Sequence, residues 1–384
     1  MQTSVRLQRR FLELSGHKVT IVSPQFRGAH APDAGVIELP STPLGPGEYS
    51  LCIPGKRSDK VLAKALSRRG HVDVIHIQAD FWGAVIGYRF ATARRLPVVH
   101  TMHNRLDVGI AATMPWPGLV QRGLGLAQKI LLHTGKPAAL DAWTYLARFT
   151  GYADCVTAPS SHFAKLLERE GVFNKVDVVP NGMDDTIAAE LLAQPLQATN
   201  PRPRLAWVGR FSPEKRLLPF LEAVAMAGID ADIHVFGDGA DRAKAEAMAG
   251  QMKNATVHLR GKVEYRQMLG ELRRADALIQ TSQGFETQGM TVFEAAALGT
   301  PSLLSDRNIA QDLPPGGYWI TRDDSVRTLA KTLDHCVAQI KGGSGPDTSC
   351  FDPESFLQSR QTELMVKVYE AAIKESGTRT RPGN

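Results

Sequence analysis

The sequence predicts an α/β protein of two domains, each built on an open parallel sheet with helices on its faces. Three observations carry this prediction. The chain has 384 residues of which 43% are hydrophobic, enough for two cores and more than one domain usually holds. Short β-rich runs alternate with helical stretches in the first half. After a polar connection the same alternation starts again, which favours a second sheet of the same kind.

The first half begins with a helical pattern, QTSVRLQRRFLELSGH, directly after Met1. Five β-rich runs follow, and their nearly continuous apolar character predicts parallel strands buried on both faces. The runs are HKVTIVSP at 17–24, VDVIHIQ at 72–78, LPVVHTMH at 96–103, DCVTAPS at 154–160 and KVDVVPNG at 175–182. We therefore expect a first domain over residues 1–185, with loops at the carboxyl ends of its strands.

A polar, proline-containing stretch, AQPLQATNPRPR at 193–204, separates the two halves, and we place the linker at 186–203. The alternation restarts with RLAWVGR, ADIHVFGDG, ATVHLRG, DALIQTS and TPSLLSD. These runs predict the strands of a second domain over residues 204–352. After the loop KGGSGPD, a last helix is predicted over 353–375, and we expect it to complete the first domain.

The formal net charge of +6 and a pI near 9.1 point to an anionic partner: a phosphorylated small molecule, an acidic lipid surface or nucleic acid. Nucleic acid is disfavoured, because the basic residues are dispersed and no recognition motif is present. No apolar run reaches the roughly 18 residues of a spanning helix, and the N-terminus lacks a secretory signal. The scattered cysteines indicate neither disulfides nor zinc and fit a reduced cytoplasm. They are Cys52, Cys155, Cys336 and Cys350.

Ligands of open parallel sheets bind outside the carboxyl ends of the strands, so two facing sheets would form a cleft lined by loops from both. The segment LAWVGRFSPEKRL places Gly209 and Arg210 at such a strand end. Ser212 is a candidate N-cap, with Pro213 at the first helical position and Lys215 in the first turn. Two cations beside a helix N-terminus form an anion site. The alternative is a charged first turn in solvent.

A second strand end carries FETQGMTVFEAAALG at 285–299. Gly289 allows a close backbone approach, and the amides of Gly289, Met290 and Thr291 would point at whatever lies above the helix start. Glu286 lies in the loop and Glu294 within the first two helical turns, so both can face one ligand. A carboxylate accepts two hydrogen bonds from a vicinal diol, as in a sugar or a ribose. Alternatively, Glu286 is an ordinary turn residue and Glu294 a solvent-facing helix residue.

Together these segments resemble the family 4 retaining glycosyltransferases, whose GT-B fold has two Rossmann-like domains facing a central cleft. Four segments resemble the family's donor half, in this order: VGRFSPEKR, VFGDGAD, LRGKV and ETQGMTVFEAAALGTPSLLSD. Three segments resemble its acceptor half: VVHTMHN at 98–104, APSSHF at 158–163 and PNGMD at 180–184. The resemblance covers roughly the whole chain, and the paired glutamates with the upstream arginine and lysine are its specific signature.

The resemblance implies a donor-binding role for each matching residue. Arg210 and Lys215, beside Gly209, would bind the donor diphosphate and stabilise the charge that grows on the leaving group, so that no metal is required. Glu286 would hold hydroxyls of the transferred sugar. Glu294 would hold the ribose hydroxyls, with the amides at 289–291 nearby.

The same resemblance implies further roles. Val263, and with it Lys262, would border the base. His103 matches a family histidine near the reacting centre, although it could also be an ordinary polar residue closing a strand. The family retains the α configuration by a front-face substitution in which the leaving diphosphate oxygen takes the acceptor proton, so no enzymatic base is required. The glutamate spacing fits diol binding instead of the carboxylate pair of a glycosidase.

The implied donor is UDP-glucose or GDP-mannose. The tetrapeptide ETQG, in place of the commoner EGFG, together with HTMHN resembles the branch of diacylglycerol glucosyltransferases and lipid mannosyltransferases, which favours a glycolipid product. The stretch GLVQRGLGLAQKILLHTGKP at 118–137 mixes apolar residues with Arg122, Lys129 and Lys136, as a helix at the inner face of a membrane does. A surface helix packed on its own domain gives the same pattern, so both interpretations stay open.

The sequence departs from the family at its beginning. Family members have a β-strand and a glycine-containing loop before the helix that precedes GHKVTIVSP, and the resemblance therefore implies a vacant central strand position and an incomplete site. A non-catalytic nucleotide-sugar-binding protein is the main alternative to a transferase. A glycosyltransferase with a non-lipid acceptor is another, and a nucleotide-sugar epimerase or a phosphorylase fits the motif order poorly.

Overall fold

The computed structural model describes residues 2–25, 33–43, 50–113, 116–132, 138–195 and 202–378. The chain divides into two compact units, Met1–Pro180 with Thr362–Asn384 and Asn181–Gln361. The polypeptide therefore enters the second unit at residue 181 and returns to the first unit after residue 361. Each unit has its own sheets, helices and core.

The strands of the first unit are β1 (Ile21–Pro24), β2 (Val36–Leu39), β3 (Ser41–Pro43), β4 (Ser50–Cys52), β5 (Ile75–Ile77), β6 (Val98–Thr101), β7 (Cys155–Ala158) and β8 (Val176–Val178). Those of the second unit are β9 (Arg204–Val208), β10 (Asp232–Phe236), β11 (Thr256–Gly261), β12 (Ala277–Gln280), β13 (Ser302–Leu304) and β14 (Tyr318–Ile320).

The helices of the first unit are α1 (Gln2–Leu14), α2 (Lys56–Leu66), α3 (Trp82–Arg94), α4 (Leu106–Thr113), α5 (Pro117–Leu131), α6 (Ala142–Thr150), α7 (Ser161–Arg169) and α15 (Gln358–Thr378), which starts in the second unit. Those of the second unit are α8 (Asp185–Leu192), α9 (Leu217–Ala227), α10 (Arg242–Ala249), α11 (Tyr265–Arg273), α12 (Met290–Ala297), α13 (Arg307–Ala310) and α14 (Val326–Lys341). Short 3₁₀ turns span Pro213–Lys215, Thr348–Cys350 and Pro353–Phe356.

The second unit is built on a parallel sheet whose described strands have the order β11-β10-β9-β12-β13-β14. From β9 the chain adds β10 and β11 along one edge and then returns to add β12 along the other, where Ala277 lies opposite Leu205. The order of strands therefore reverses between β9 and β12. In open α/β sheets a crevice forms at such a reversal, outside the carboxyl ends of the two strands.

Both faces of this sheet are covered, which explains the nearly continuous apolar strands. Leu205 and Trp207 of β9 pack on one side with α9 and α14, whereas Ala206, between them, packs on the other side with α8, α11 and α12. Alternate residues of a strand point to opposite faces, so each face receives its own core. The α/β fold class predicted from the sequence is confirmed.

The first unit contains a parallel sheet with the order β5-β6-β7-β8, a parallel pair β1-β2 and an antiparallel pair β3-β4. Val98 of β6 faces a core shared with α3 and α6. Val99 faces the other side, where Met365 and Val368 of α15 pack. The predicted strand runs at 17–24 and 72–78 thus lie in separate sheets, and the vacant strand position stays a prediction.

Several elements differ from the sequence prediction. The stretch predicted as linker, 186–203, includes most of α8, because Asp184 caps this helix and its apolar side packs in the core of the second unit. The last helix begins at Gln358 and not at residue 353, since a separate 3₁₀ turn precedes it. Strands β2, β3, β4 and β14 were not predicted. Other strands are equally short but lie within longer apolar runs, as β5 does in VDVIHIQ, and those runs were recognised.

Candidate functional site

The loops that follow β9 and β12 flank the crevice at the strand reversal. Gly209 and Arg210 come directly after β9, and the loop over 281–289 connects β12 to α12. Because β9 and β12 are hydrogen-bonded neighbours, these loops emerge side by side at the same edge of the sheet. The sheet topology thus brings together two motifs that lie about 75 residues apart in the sequence.

Lys215 and Glu286 meet in this crevice. The Lys215 ammonium nitrogen lies 2.5 Å from Oε1 of Glu286, and the two side chains are only 19% and 13% exposed. The lysine backbone is held from behind, because the Thr281 hydroxyl donates to the Lys215 carbonyl and itself accepts from the indole N–H of Trp207. Two of the predicted site residues therefore form an ion pair.

Arg210 lies beside this pair but has a different partner. Its guanidinium donates to Glu214 at 2.9 Å, and its side chain is largely exposed. Ser212 occupies the predicted N-cap position before Pro213, but its hydroxyl donates to the same carboxylate and makes no capping bond to an amide. Pro213 begins a 3₁₀ turn, and the α-helix starts four residues later. Both candidate cations are thus already paired with carboxylates.

Helix α12 begins at Met290, after Gly289 in the left-handed conformation with a φ of 81°. A methyl group on Gly289 would approach the side chain of Ile309 to 3.1 Å. The position therefore favours glycine for both its backbone conformation and its limited space. Met290 and Thr291 form the first turn, as predicted, with their backbone at the end of the helix that carries partial positive charge.

Glu294 lies in the second turn of α12 and is buried, with 4% of its surface exposed. The Tyr265 hydroxyl donates to its Oε1 at 2.7 Å. Burial raises the pKa of Glu294 to about 7, although the hydrogen bond from Tyr265 acts in the opposite direction. The two glutamates of the motif therefore have different surroundings, since Glu286 faces a cation and Glu294 faces a neutral hydroxyl.

Gln288 ties the loop between these glutamates to the start of the second unit. Its Oε1 accepts hydrogen bonds from the backbone N–H and the side-chain amide of Asn181, at 3.1 and 2.7 Å. Its Nε2 donates to the Asn181 carbonyl at 3.0 Å. A backbone N–H can only donate and a carbonyl can only accept, so these partners fix the orientation of the buried Gln288 amide.

The remaining predicted donor residues lie on the same unit. Gly209 follows the central strand, and its carbonyl oxygen stands only 1.9 Å from where a side chain on Gly237 would begin. Val263 is half-buried against the core that also contains Tyr265, and Lys262 is exposed. The loop that was predicted to border the base therefore leads directly into the helix that supplies the partner of Glu294.

His103 belongs to the first unit and is described there by itself. Its Nε2 lies 3.0 Å from Oε1 of Gln78, and the Gln78 amide nitrogen donates to Gln8 of α1 at 2.6 Å. Burial lowers the pKa of His103 to about 4, so the imidazole is neutral at physiological pH. The histidine thus has two glutamines behind it and acts as a neutral hydrogen-bonding group.

A buried polar cluster adjoins His103 at the carboxyl ends of β5 and β6. Asn104 donates to Asp80, whose Oδ1 is buried without a hydrogen-bond partner. Burial raises the pKa of Asp80 to about 7. His100 lies 3.8 Å from this carboxyl group, and its Nε2 donates to the carbonyl of Ala79, which leaves Nδ1 to accept from the Tyr88 hydroxyl.

The site can bind an anion and several hydroxyl groups. The crevice combines a lysine, a helix N-terminus and two carboxylates, which are the groups needed for a phosphate and for diols. Among the described residues, no group of three or more His, Cys, Asp or Glu side chains is arranged to hold a metal ion. No helix among them is long and apolar enough to cross a membrane.

Sequence reasoning missed the residues that hold the predicted ones in place. Tyr265, Gln288, Thr281, Gln78 and Asp80 were not singled out. Three of them follow a strand within a few residues, so the rule that placed Arg210 and Glu286 could have included them. No local signal marks Tyr265, because its partner is 29 residues away.

The chain has two α/β units with parallel sheets, and its family matches give its class as a glycosyltransferase. Residues 1–186 match the family model described as Glycosyltransferase Family 4, and residues 190–337 match the one described as Glycosyl transferases group 1. The chain belongs to family 4 of the glycosyltransferases, and the resemblance inferred from its motifs is confirmed.

A relative with a described function is the alpha-monoglucosyldiacylglycerol synthase of Streptococcus pneumoniae. The two proteins are 25% identical over 354 residues, which cover 86% of this chain and 74% of the relative. The similarity extends across both units, so the first unit is also part of the match.

Solved structures support the fold. A glycosyltransferase from Rickettsia africae superposes with a TM-score of 0.64 at 14% identity, over 97% of this chain and 94% of that one. HepE from Anabaena, in complex with UDP and glucose, gives 0.55 at 16% identity over 81% and 82%. TarM from S. aureus gives 0.58 at 12% identity over 84% of this chain, which spans 60% of that protein.

Proposed function

We propose that this protein is a retaining hexosyltransferase that transfers glucose or mannose from a nucleotide diphosphate sugar to a lipid acceptor without a metal ion. The observation that carries the proposal is the contact between Lys215 and Glu286 beside the N-terminus of α12, in the crevice at the strand reversal. A cation next to a carboxylate suits a ligand that has a phosphate and a sugar hydroxyl side by side.

The donor is held by groups of opposite character. The diphosphate lies against Lys215 and the first amides of α12, with Arg210 at the exposed side, because these groups carry the positive charge of the crevice. Glu286 accepts hydrogen bonds from the hexose, and Glu294 accepts them from the ribose. Val263 borders the base. The complexes of HepE with UDP and glucose are those of another protein, and they support a nucleotide-sugar donor here.

The reaction exchanges one bond at the anomeric carbon for another. The bond to the diphosphate oxygen breaks, a bond to the acceptor oxygen forms on the same face, and the acceptor proton moves to the leaving oxygen. Lys215 and the helix N-terminus stabilise the negative charge that develops on the diphosphate, which is the work a divalent cation would otherwise do. His103, neutral at physiological pH, contributes a hydrogen bond on the acceptor side.

A lipid acceptor is supported by the similarity to the alpha-monoglucosyldiacylglycerol synthase and by the tetrapeptide ETQG, which places a glutamine at position 288. Diacylglycerol is the first acceptor to test, and a phospholipid is the second. Such an acceptor places the protein at a membrane surface, on the cytoplasmic side where nucleotide sugars are available. A water-soluble acceptor is the competing possibility that the assay must include.

The test offers UDP-glucose, and then GDP-mannose, together with vesicles of diacylglycerol and phosphatidylglycerol. We expect a glycolipid product with an α linkage, read from the anomeric coupling in its NMR spectrum, and undiminished activity in EDTA. Glu286→Gln should abolish transfer, whereas the matched variant Glu222→Gln, on an exposed part of α9, should keep it.

Each other outcome identifies a different error. Donor binding without transfer to any acceptor would favour the non-catalytic binder. Transfer to water alone or to a soluble acceptor would reject the lipid assignment and keep the transferase. Full activity in both Lys215→Ala and Glu286→Ala would contradict the roles assigned to the crevice.

A further inference from the structure

Helix α5 has apolar residues on two opposite faces. One face packs on the core of the first unit through Val120, Leu124 and Leu131, with Gly125 and Gln128 buried beside them. A side chain on Gly125 would collide with the backbone of residue 139, so this face is fitted closely to its surroundings. The helix therefore has a complete structural role without its other face.

The opposite face of α5 is apolar and exposed. Leu119, Leu126 and Ile130 follow one another at intervals of seven and four residues, which places them within about 40° around the helix. These side chains are 64%, 52% and 60% exposed, and Trp116, just before the helix, is 75% exposed. We call these four residues the α5 stripe. Large apolar side chains that form a continuous exposed row mark an interaction surface.

The charged residues of α5 and of its flanking sequence have one sign. Between Asp107 and Asp141 the sequence contains no acidic residue. Arg122 and Lys129 lie on the same side of the stripe, two helical turns apart and about 60° to 80° around the helix from Leu119. An apolar row edged by cations, with a tryptophan at one end, fits an anionic lipid surface, where the cations meet headgroups and the apolar side chains enter the acyl boundary.

We propose that the α5 stripe docks the protein on an anionic bilayer, with α5 parallel to the membrane plane. The choice of a bilayer over a protein partner rests in part on the lipid acceptor of the proposed function. A membrane-bound acceptor has to be reached from the surface in which it is dissolved, and a docking face on the acceptor-binding unit serves that need. Of the two sequence interpretations of residues 118–137, packing on the domain is observed for α5, and membrane contact is what we propose for its opposite face. Lys136 lies outside the described residues.

The test is co-sedimentation of the full-length protein with vesicles of phosphatidylcholine alone or with phosphatidylglycerol. We expect binding to the anionic vesicles that weakens with salt. The double variant Leu126→Gln and Ile130→Gln should lower the partition coefficient at least tenfold, because each change removes a side chain that would leave water. Arg122→Gln should lower it about fivefold and reduce the salt dependence.

Matched controls separate the stripe from general surface effects. Ile53→Gln changes an isoleucine of the same unit that is 61% exposed, and Arg68→Gln removes an exposed cation elsewhere on that unit. Both should bind vesicles like the wild type. All substituted side chains are exposed or at the helix surface, so circular dichroism and thermal unfolding should be unchanged.

Three results would overturn the proposal: no binding of the wild type to anionic vesicles, equal binding by the double variant, or a stripe-dependent dimer in sedimentation velocity, which would make the occupant a second copy. The proposed function is tested separately with acceptor dispersed in detergent. Transfer in detergent without vesicle binding rejects the docking surface alone, whereas vesicle binding without transfer rejects the proposed function alone.

Discussion

Removal of the Tyr265 hydroxyl tests how the second glutamate works. Glu294 is buried, and its pKa of about 7 means that about half of it is protonated at neutral pH. The hydroxyls of a ribose donate hydrogen bonds and therefore favour the ionised form. Tyr265 donates to the same carboxylate at 2.7 Å, so Tyr265→Phe should make the ionised form harder to reach.

The magnitudes follow from these values. With a pKa of about 7, the ionised fraction of Glu294 falls about tenfold from pH 8 to pH 6, and donor affinity should fall with it. A hydrogen bond to a charged group stabilises it by about 1.5–3 kcal/mol. Loss of this hydrogen bond should raise the pH midpoint of donor binding by about one to two pKa units, so that Tyr265→Phe binds donor much more weakly than the wild type at pH 7 and recovers part of the difference by about pH 8.5.

The raised pKa of Glu294 also makes the stability of the fold depend on pH. The folded protein holds the Glu294 proton more tightly than the unfolded chain, so this group stabilises the fold fully below its unfolded pKa of about 4.5. That contribution is lost as pH rises through about 7, and the ionised carboxylate then costs up to about 3 kcal/mol. Donor binding at pH 8 should accordingly raise the melting temperature more than it does at pH 6.

The assay is calorimetric titration of UDP-glucose between pH 5.5 and pH 10, because the diphosphate of a nucleotide sugar has no terminal phosphate that titrates there. Glu294→Gln should bind weakly with no pH midpoint, which separates this group from Asp80, whose pKa burial also raises to about 7. Tyr318→Phe, in a tyrosine packed against the same core, is the matched control. A flat wild-type profile, or a lower midpoint in Tyr265→Phe, would refute the reasoning.

Three further predictions concern the crevice. Lys215→Met should lower kcat by about 10²–10³ and the melting temperature as well, and adding Glu286→Gln should restore the melting temperature without activity, since it removes the negative charge that lost its cation. Gln288→Met keeps the shape of the side chain but loses its bonds to Asn181, so donor KM should rise about tenfold with the fold intact, and Gln288→Glu should be worse because its carboxylate would face a carbonyl. Gly237→Ala should destabilise the protein by more than about 3 kcal/mol in denaturant unfolding, because its methyl group meets a carbonyl oxygen of a neighbouring loop, and an unchanged midpoint would contradict this.

The meeting of Lys215 and Glu286 could be predicted because its determinants are local. One buried strand is followed at once by Gly209 and Arg210, and another is followed by Glu286. Each pattern indicates the end of a strand, and in an open parallel sheet the carboxyl ends of neighbouring strands lie at the same edge. No contact had to be known for the lysine and the glutamate to be assigned to one ligand. The ion pair between Lys215 and Glu286 shows that the loops at these two strand ends lie together.

Partners across the fold could not be predicted in the same way. Tyr265 precedes Glu294 by 29 residues and Asn181 precedes Gln288 by 107, and no periodicity links such positions. The short strands β2, β3 and β4 were missed for a different reason, since they do not lie within a longer apolar run as the equally short β5 does. At these positions the sequence supplies a hydrogen-bond donor and a matching acceptor far apart in the chain. Their pairing can be recognised only in the folded structure, where packing brings the two groups together.

The pairing of Lys215 with Glu286 has a consequence for the proposed donor binding. A lysine buried to this degree would be costly without a counter-charge, and Glu286 supplies one. When a nucleotide sugar enters, the diphosphate can replace the carboxylate as the partner of Lys215, and the carboxylate can turn to the sugar hydroxyls. Each group thus exchanges one partner for another, and neither is left buried and unpaired. A ligand with a phosphate but no sugar would give Lys215 a new partner and would offer Glu286 no sugar hydroxyls. The crevice should therefore bind the intact donor more tightly than the nucleotide diphosphate.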